Sequence, residues 1–462
     1  MLQENDIICA ISTPLGEGAI GIVRLSGPGA YTIVSSIFDC SKSGNPVYPE
    51  PRRLYHGHIR DKNGTVLDEV LVSFMPAPYT YTREDIVEIN CHSGIFALRA
   101  ILKRVMDSGV RLADPGEFTK RAFLSGRIDL SQAEAVMNII RARSEEAVKV
   151  AARTLQGDFA AQIGRIRDRI ITLRAPIEAW FDYPEEFAEG IPSSDNLIIE
   201  LGKLQGSLQV LLKGVERNRA YQEGVSVAII GRPNVGKSSL LNALLRQQRA
   251  IVHEVPGTTR DMLEGYMNLG GYPISLIDTA GIQGTADPVE KQGIERSRAA
   301  AERARMLIVV LDGSSSWTEE DSEIAGLRGQ GQGLVIVINK LDLEQKLSAD
   351  AVRDNYPDAE IVKTAALTGE GIQLLEDAVT RQLDLVLGKA GESAMLVSIR
   401  HEDIICEVSE IIDHAINILD NQPIELVSLE LQNAWLKLGE ITGDTVNEAL
   451  LDKIFSEFCL GK

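Results

Sequence analysis

The stretch Gly231-Arg232-Pro233-Asn234-Val235-Gly236-Lys237-Ser238 fits the pattern GxxxxGK[ST] and constrains this chain more than any other feature. The pattern has mechanical meaning only between a strand and a helix. The β-rich run Val225–Ile230 precedes it, and helical spacing over residues 239–245 follows it. In that setting the glycines let the backbone curl so that its N–H groups surround phosphate oxygens at a helix N-terminus. Lys237 then supplies charge to β- and γ-phosphates, and Ser238 offers an oxygen to Mg²⁺. Further short β-rich runs at 274–277, 306–311, 334–338 and 360–363 are separated mostly by helical stretches. That alternation predicts an α/β domain with a mostly parallel sheet.

Four more motifs follow the phosphate loop in order. Gly257-Thr258-Thr259-Arg260-Asp261 has the place of a switch loop with a threonine ligand for Mg²⁺. Asp278-Thr279-Ala280-Gly281 ends a predicted strand: its carboxylate suits Mg²⁺ through water, and the Gly281 N–H suits a γ-phosphate. Asn339-Lys340-Leu341-Asp342 ends another strand. An aspartate there can accept from guanine N1–H and the 2-amino group, a donor pair that adenine lacks. Ala365-Ala366-Leu367 stands where a purine-side loop often reads Ser-Ala-x, and the Ala366 N–H can reach the guanine carbonyl. Ile282 stands where many small GTPases place a glutamine to orient water, and an aliphatic side chain cannot do that. Glu290 is the best nearby acid for that task; on spacing alone it reads equally as a solvated helix-start acid.

At 462 residues the length suits about three domains. The first 118 residues are rich in Gly, Pro and β-branched types. They predict a mixed α+β domain with strands near 19–25, 70–74 and 86–90 and a helix over 96–106. Residues 119–222 are helical, with a capping box expected at Ser131–Glu134, nearly continuous periodicity to 181, and Gly157 and Gly164 as kink points. The α/β module spans 223–380, and 381–462 is helical again. The simplest arrangement inserts the α/β module into one split helical bundle, giving a multidomain α+β and α/β chain.

The net charge of −19 argues against a globally basic nucleic-acid binder, yet the acid lies mainly beyond residue 223. Residues 119–223 are balanced and carry Arg141, Arg143, Lys149, Arg153, Arg165, Arg167, Arg169 and Arg174. These read either as solvated helix faces paired with nearby acids or as a phosphate-contacting strip. Five scattered cysteines form no CxxC or zinc spacing, which suits a reduced, cytoplasmic setting. No apolar run approaches 18 residues, so no membrane span is expected. Cys91-His92 resembles a nucleophile pair by adjacency only, because neighbouring strand residues face opposite ways.

The GRPNVGKSSLLNAL and PGTTRD segments, the inserted module and the terminal Phe458-Cys459-Leu460-Gly461-Lys462 together resemble the MnmE (TrmE) family of tRNA uridine-modification GTPases, over the whole chain. The resemblance implies a homodimer formed through an N-terminal domain that binds a one-carbon tetrahydrofolate, 5-formyl or methylene. It also implies a complex with the FAD-dependent partner MnmG. Together the two place an aminomethyl or carboxymethylaminomethyl group at C5 of the tRNA wobble uridine. Arg24, Glu88, Arg127 and Lys462 match the family's folate contacts. GTP contacts are implied for Asn234 to Ser239, including Val235, Gly236 and Lys237, for His253, Glu254, Val255, Pro256, Gly257, Thr258 and Thr259, and for the three later motifs. Ser238 and Thr259 match Mg²⁺ positions; Asn234, His253, Val255 and Thr258 match K⁺ positions; Glu290 matches the water-positioning residue. Cys459 is placed near the folate, either as a catalytic thiol or in a positioning role. Two other readings remain: a pure RNA-binding switch of the Era type, or a folate-dependent methyltransferase acting alone.

Overall fold

The computed structural model describes residues 6–40, 50–182, 194–212, 215–247, 266–277, 298–388, 398–419 and 421–462. The backbone forms two compact units, Met1–Met137 with Trp435–Lys462, and Asn138–Ala434.

The first unit is built on a seven-stranded sheet. Its elements are β1 (Ile8–Ile11), β2 (Gly21–Ser26), α1 (Ala30–Ile37), β3 (Phe38–Cys40), β4 (Leu54–Arg60), β5 (Val66–Met75), β6 (Ile86–Cys91), α2 (Ile95–Met106), β7 (Arg111–Leu112) and α3 (Glu117–Leu124). The spatial order is β3-β4-β5-β6-β2-β1-β7, antiparallel except for β1 with β7. Period-two alternation sends Val23, Leu25, Val70, Val72, Phe74, Val87 and Ile89 into one core with α1 and α2. The intervening Arg24, Glu88 and Asn90 face the other way.

A helix, α4 (Leu130–Arg141), follows. Its reciprocal cap is made two residues before the expected one. The Gln132 N–H donates to Asp129 Oδ1 and the Asp129 N–H donates to Gln132 Oε1, each at 2.9 Å. An aspartate competes well with Ser131 for the N-cap, and the Ser131 hydroxyl donates to Asp129 at 2.5 Å instead. The expected continuous periodicity is also broken. Ser144 caps α5 (Glu145–Leu155), and Gly157, at φ 95°, separates it from α6 (Asp158–Asp182). Gly164 lies inside α6. Then come α7 (Ser194–Leu212) and α8 (Val215–Glu223).

The α/β module comprises β8 (Val225–Ile230), α9 (Lys237–Gln247), β9 (Tyr266–Leu269), β10 (Tyr272–Ile277), β11 (Met306–Asp312), α10 (Glu319–Ala325), β12 (Gly333–Asn339), α11 (Ala349–Asn355), β13 (Glu360–Lys363) and α12 (Ile372–Leu387). The sheet order is β13-β12-β11-β8-β10-β9, parallel except for the β9–β10 hairpin. Residues of β11 and β12 are buried on both faces, as a doubly covered parallel sheet requires. The chain ends with α13 (Ile399–Ile418), α14 (Ile424–Thr442) and α15 (Glu448–Ser456). Leu201, Leu204, Leu208, Ile405, Val408 and Ile412 are buried at helical spacing on α7 and α13. No described helix is long and apolar enough to cross a membrane.

Candidate functional site

The phosphate loop lies between β8 and α9, at the carboxyl end of a central strand, where open α/β sheets bind ligands. Gly231 (φ 155°) and Gly236 (φ 101°) bend it. A Cβ at Gly231 would collide with the Val310 carbonyl, and one at Gly236 with Asn339 Nδ2, so both positions need glycine. Asn234 is exposed at φ 62°, and Val235 is buried beneath the loop. Lys237 Nζ donates to the carbonyls of Gly231 (2.8 Å) and Arg232 (2.7 Å). Burial pushes the Lys237 ammonium below its usual range. Ser238 is exposed and Ser239 half-buried on the first turn of α9.

The guanine-side motifs are brought to the same rim through Asn339. This side chain is 2% exposed. Its Nδ2 donates to the Val235 carbonyl at 2.9 Å, and its Oδ1 accepts from Thr364 Oγ1 and from the Ala366 N–H, each at 3.1 Å. Asn339 thus joins the phosphate loop, the end of β12 and the 365–367 loop. The Leu341 N–H donates to the Thr364 carbonyl at 2.9 Å, reinforcing that junction. Asp342 and Leu367 are exposed at its edge. Lys340, at φ 67°, pairs with Asp312 at 2.6 Å. Burial pushes the Asp312 carboxyl up, but Lys340 and Ser314 outweigh it and hold it below the usual carboxylate range.

The other nucleotide-site residues, His253, Glu254, Val255, Pro256, Gly257, Thr258, Thr259, Asp278, Thr279, Ala280, Gly281 and Glu290, lie outside the described residues. Among the described residues no cluster of three or more His, Cys, Asp or Glu could hold a metal ion.

The first unit holds the second set of candidate residues. Arg24 and Glu88 are directly paired across β2 and β6, and both Nε and Nη2 of Arg24 donate to Glu88 Oε1 at 2.8 Å. The guanidinium lies 5.8 Å from the Phe118 ring centroid, and that of Arg127 lies 4.8 Å from the Tyr81 ring. The C-terminal tail comes to the same unit. The Gly116 N–H donates to the Cys459 carbonyl at 3.4 Å. Gly461 (φ 86°) sits so close to the end of β1 that a Cβ would collide with the Ile11 carbonyl. Cys459 is exposed and Lys462 half-buried. Ser12 Oγ, in the segment that Gly461 touches, is buried without a hydrogen-bond partner.

Cys91 and His92 do not form a pair. The Cys91 thiol donates to the Gly21 carbonyl, and burial pushes it up to about 11. His92 is held by Asp68 on the opposite face. Part of the arginine-bearing strip is also engaged internally. Arg174 pairs with Glu178, Arg169 with Glu200 and Lys149 with Glu146. The strut role of Asn339 and the Arg232–Asp321 pair (2.7 Å) escaped the sequence reading. The second had a legible signal, the Thr318-x-x-Asp321 cap of α10.

A parallel sheet with a phosphate loop on its central strand and an Asn-Lys-x-Asp loop beside it defines the protein as a P-loop GTPase. Two family models match: the GTP-binding protein TrmE N-terminus over residues 7–127 and the MnmE helical domain over 130–459. The tRNA modification GTPase MnmE of Bacillus velezensis is 43% identical over 460 residues, covering 99% of this chain and 100% of that protein. The same-named protein of Bacillus subtilis is 42% identical over 459 residues, at 99% and 100% coverage. The chain belongs to the MnmE (TrmE) family. Among solved structures, the G domain of the Thermotoga maritima FeoB iron transporter is 26% identical over 34% of this chain and 98% of its own, with a TM-score of 0.26. Aquifex aeolicus Era is 27% identical over 40% and 66%, with a TM-score of 0.28.

Proposed function

We propose that this chain is a K⁺-stimulated GTPase whose cycle drives modification of tRNA at C5 of the wobble uridine. It acts in the cytoplasm as a homodimer with an FAD-dependent partner of the MnmG type, using a one-carbon tetrahydrofolate. The observation that carries this reading is the return of the C-terminal tail to the unit that presents the Arg24–Glu88 pair. A nucleotide switch alone gives that arrangement no task. The domain assignment that accompanies it is 1–118 for folate binding and dimerisation, 119–222 with 381–462 for the helical part, and 223–380 for the inserted GTPase module.

In the GTPase module, loop N–H groups and Lys237 bind the phosphates, and Asp342 reads the guanine edge. The strut at Asn339 holds these two halves at a fixed separation. Ser238 and Thr259 would hold Mg²⁺; Asn234, Thr258 and the His253 and Val255 carbonyls would hold K⁺. The exposed Asn234 and Ser238 fit those tasks among the described residues. A cation beside the phosphates supplies neutralisation of charge on the β–γ bridge, the service an arginine finger performs. Glu290 orients water, which Ile282 cannot do.

In the first unit, Arg24, Arg127 and Lys462 are cations suited to folate carboxylates, and Glu88 is suited to a pterin donor edge. The buried, unpartnered Ser12 Oγ beside Gly461 fits a polar ligand group. A bound one-carbon folate would supply the carbon that is transferred. Cys459, exposed on the same tail, would lie beside it, as a catalytic thiol or in a positioning role.

Calorimetric titration of the full chain with 5-formyl-tetrahydrofolate tests the reading. Saturable binding is expected, weakened in Arg24→Ala and on removal of residues 459–462. Absence of saturable binding to the intact chain overturns the folate assignment and favours the RNA-binding switch.

A further inference from the structure

Arg232, the second residue of the phosphate loop, is tied to α10 rather than left in solvent. Its Nε donates to Asp321 Oδ1 at 2.7 Å and its Nη2 to Ser315 Oγ at 3.3 Å. Asp321 is 3% exposed, and both its carboxylate oxygens are engaged. Its Oδ2 accepts from the Thr318 N–H (3.1 Å) and the Thr318 hydroxyl (2.7 Å), and its own N–H donates back to Thr318 Oγ1. A buried carboxylate with every oxygen engaged is a rigid anchor, and losing one partner leaves a charge uncompensated.

The anchored residue is also one of the two whose carbonyls hold Lys237 Nζ, Arg232 at 2.7 Å and its neighbour Gly231 at 2.8 Å. Pro233 follows it, which restricts the Arg232 backbone to extended conformations. The Arg232 peptide is therefore fixed from both sides, by the ring of Pro233 and by its own guanidinium on Asp321. A short chain of contacts runs from the cap of α10 through Arg232 to the phosphate-contacting lysine.

We propose that Arg232 and Asp321 are positioning residues for Lys237, setting where its ammonium meets the β- and γ-phosphates of the nucleotide. This rests on the reading of the loop as a GTP site. It adds that the β11–α10 segment, outside every nucleotide motif in the sequence, governs affinity for phosphates beyond the first. Guanine recognition runs through Asp342 and is independent of the pair.

The test uses the full chain and the variants Asp321→Asn, Arg232→Gln and Arg232→Lys. Affinities for GTP, GDP and GMP are measured by displacement of a fluorescent GDP, with melting temperature recorded without nucleotide. Asp321→Asn and Arg232→Gln are expected to weaken GTP and GDP by about ten-fold, on the scale of one charge-assisted hydrogen bond, and to leave GMP within about two-fold. KM for GTP should rise as kcat falls. Arg232→Lys should recover part of the loss, because an ammonium keeps the charge but cannot donate in two directions at once. A purely structural role would lower the melting temperature and weaken all three nucleotides equally, and that result overturns the proposal. So does unchanged GTP affinity in a folded variant. If Asp321→Asn fails to fold, Arg232→Gln decides. Failure of the unsubstituted chain to bind GTP would refute the GTP-site reading itself, an outcome distinct from either.

Discussion

Replacing Asn339 by alanine separates two roles for the Asn-Lys-x-Asp motif. If this asparagine reads the base, its loss weakens guanine binding and leaves the fold intact. If it is a strut, both change together. The substitution removes three hydrogen bonds at a site 2% exposed: to the Val235 carbonyl, from the Thr364 hydroxyl and from the Ala366 N–H. Each orphaned buried polar group costs about 1–3 kcal/mol. The two backbone groups alone, the Val235 carbonyl and the Ala366 N–H, make that about 2–6 kcal/mol. On the strut reading nucleotide needs this junction intact, and about 2 kcal/mol of that loss is expected to appear as a roughly thirty-fold rise in Kd for GDP. Urea unfolding of the full chain and displacement of a fluorescent GDP measure the two quantities. Asn339→Asp sharpens the comparison. Its carboxylate keeps both acceptor contacts but faces the Val235 carbonyl, so it should lose stability as well. A thirty-fold loss of GDP affinity with unfolding unchanged within about 0.5 kcal/mol would refute the strut.

Asp342→Asn should lower GTP affinity by ten-fold or more and favour xanthosine nucleotides, since an amide cannot accept from both guanine donors at once; competition binding checks this. Acid unfolding should begin in the first unit. Burial pushes Glu117 up, but Arg111, the Asp114 N–H and Arg121 outweigh it; burial pushes Asp6 up, and Arg111 and Arg121 outweigh it likewise. Both carboxyls are therefore lowered on folding. Their stabilisation is complete above the ordinary carboxylate pKa, about 4, and is lost as pH falls through the lower folded values. Glu117→Gln should flatten that dependence in melting temperature measured against pH. A thiol reagent near pH ~7.5 should label the exposed Cys406 and Cys459 and spare Cys9 and Cys91, which burial pushes up to about 12 and about 11; peptide mass spectrometry reads the order.

The parallel strands of the α/β module were legible because they are short β-branched runs separated by helical spacing and turn residues. Val225–Ile230 and Glu360–Lys363 begin and end where the pattern places them. The first unit was harder. Leu54–Arg60 carries two histidines, an exposed leucine and a glycine against which Phe38 packs, so its alternation is weak without its neighbours. The helix boundaries at 141–145 and 155–158 are set by Ser144 and Gly157, against a periodicity that runs through both. In the site, residue types and order were readable, but partnership was not. Asn339 reads as part of a base-recognition motif, yet its three bonds go to backbone and side-chain atoms between 25 and 104 positions away. The network of Asp6 and Glu84 with the buried Glu117 and Arg121 likewise joins residues up to 115 positions apart. Only the closed fold brings such groups together.

The proposed GTPase is stimulated by K⁺ and works as a homodimer. Its most direct test is the GTP hydrolysis rate of the full chain against K⁺ concentration, at several protein concentrations, with Na⁺ at matched ionic strength. A steep rise with K⁺ is expected, one that grows with protein concentration and is absent in Na⁺. Equal specific rates in the two salts, independent of protein concentration, would contradict it.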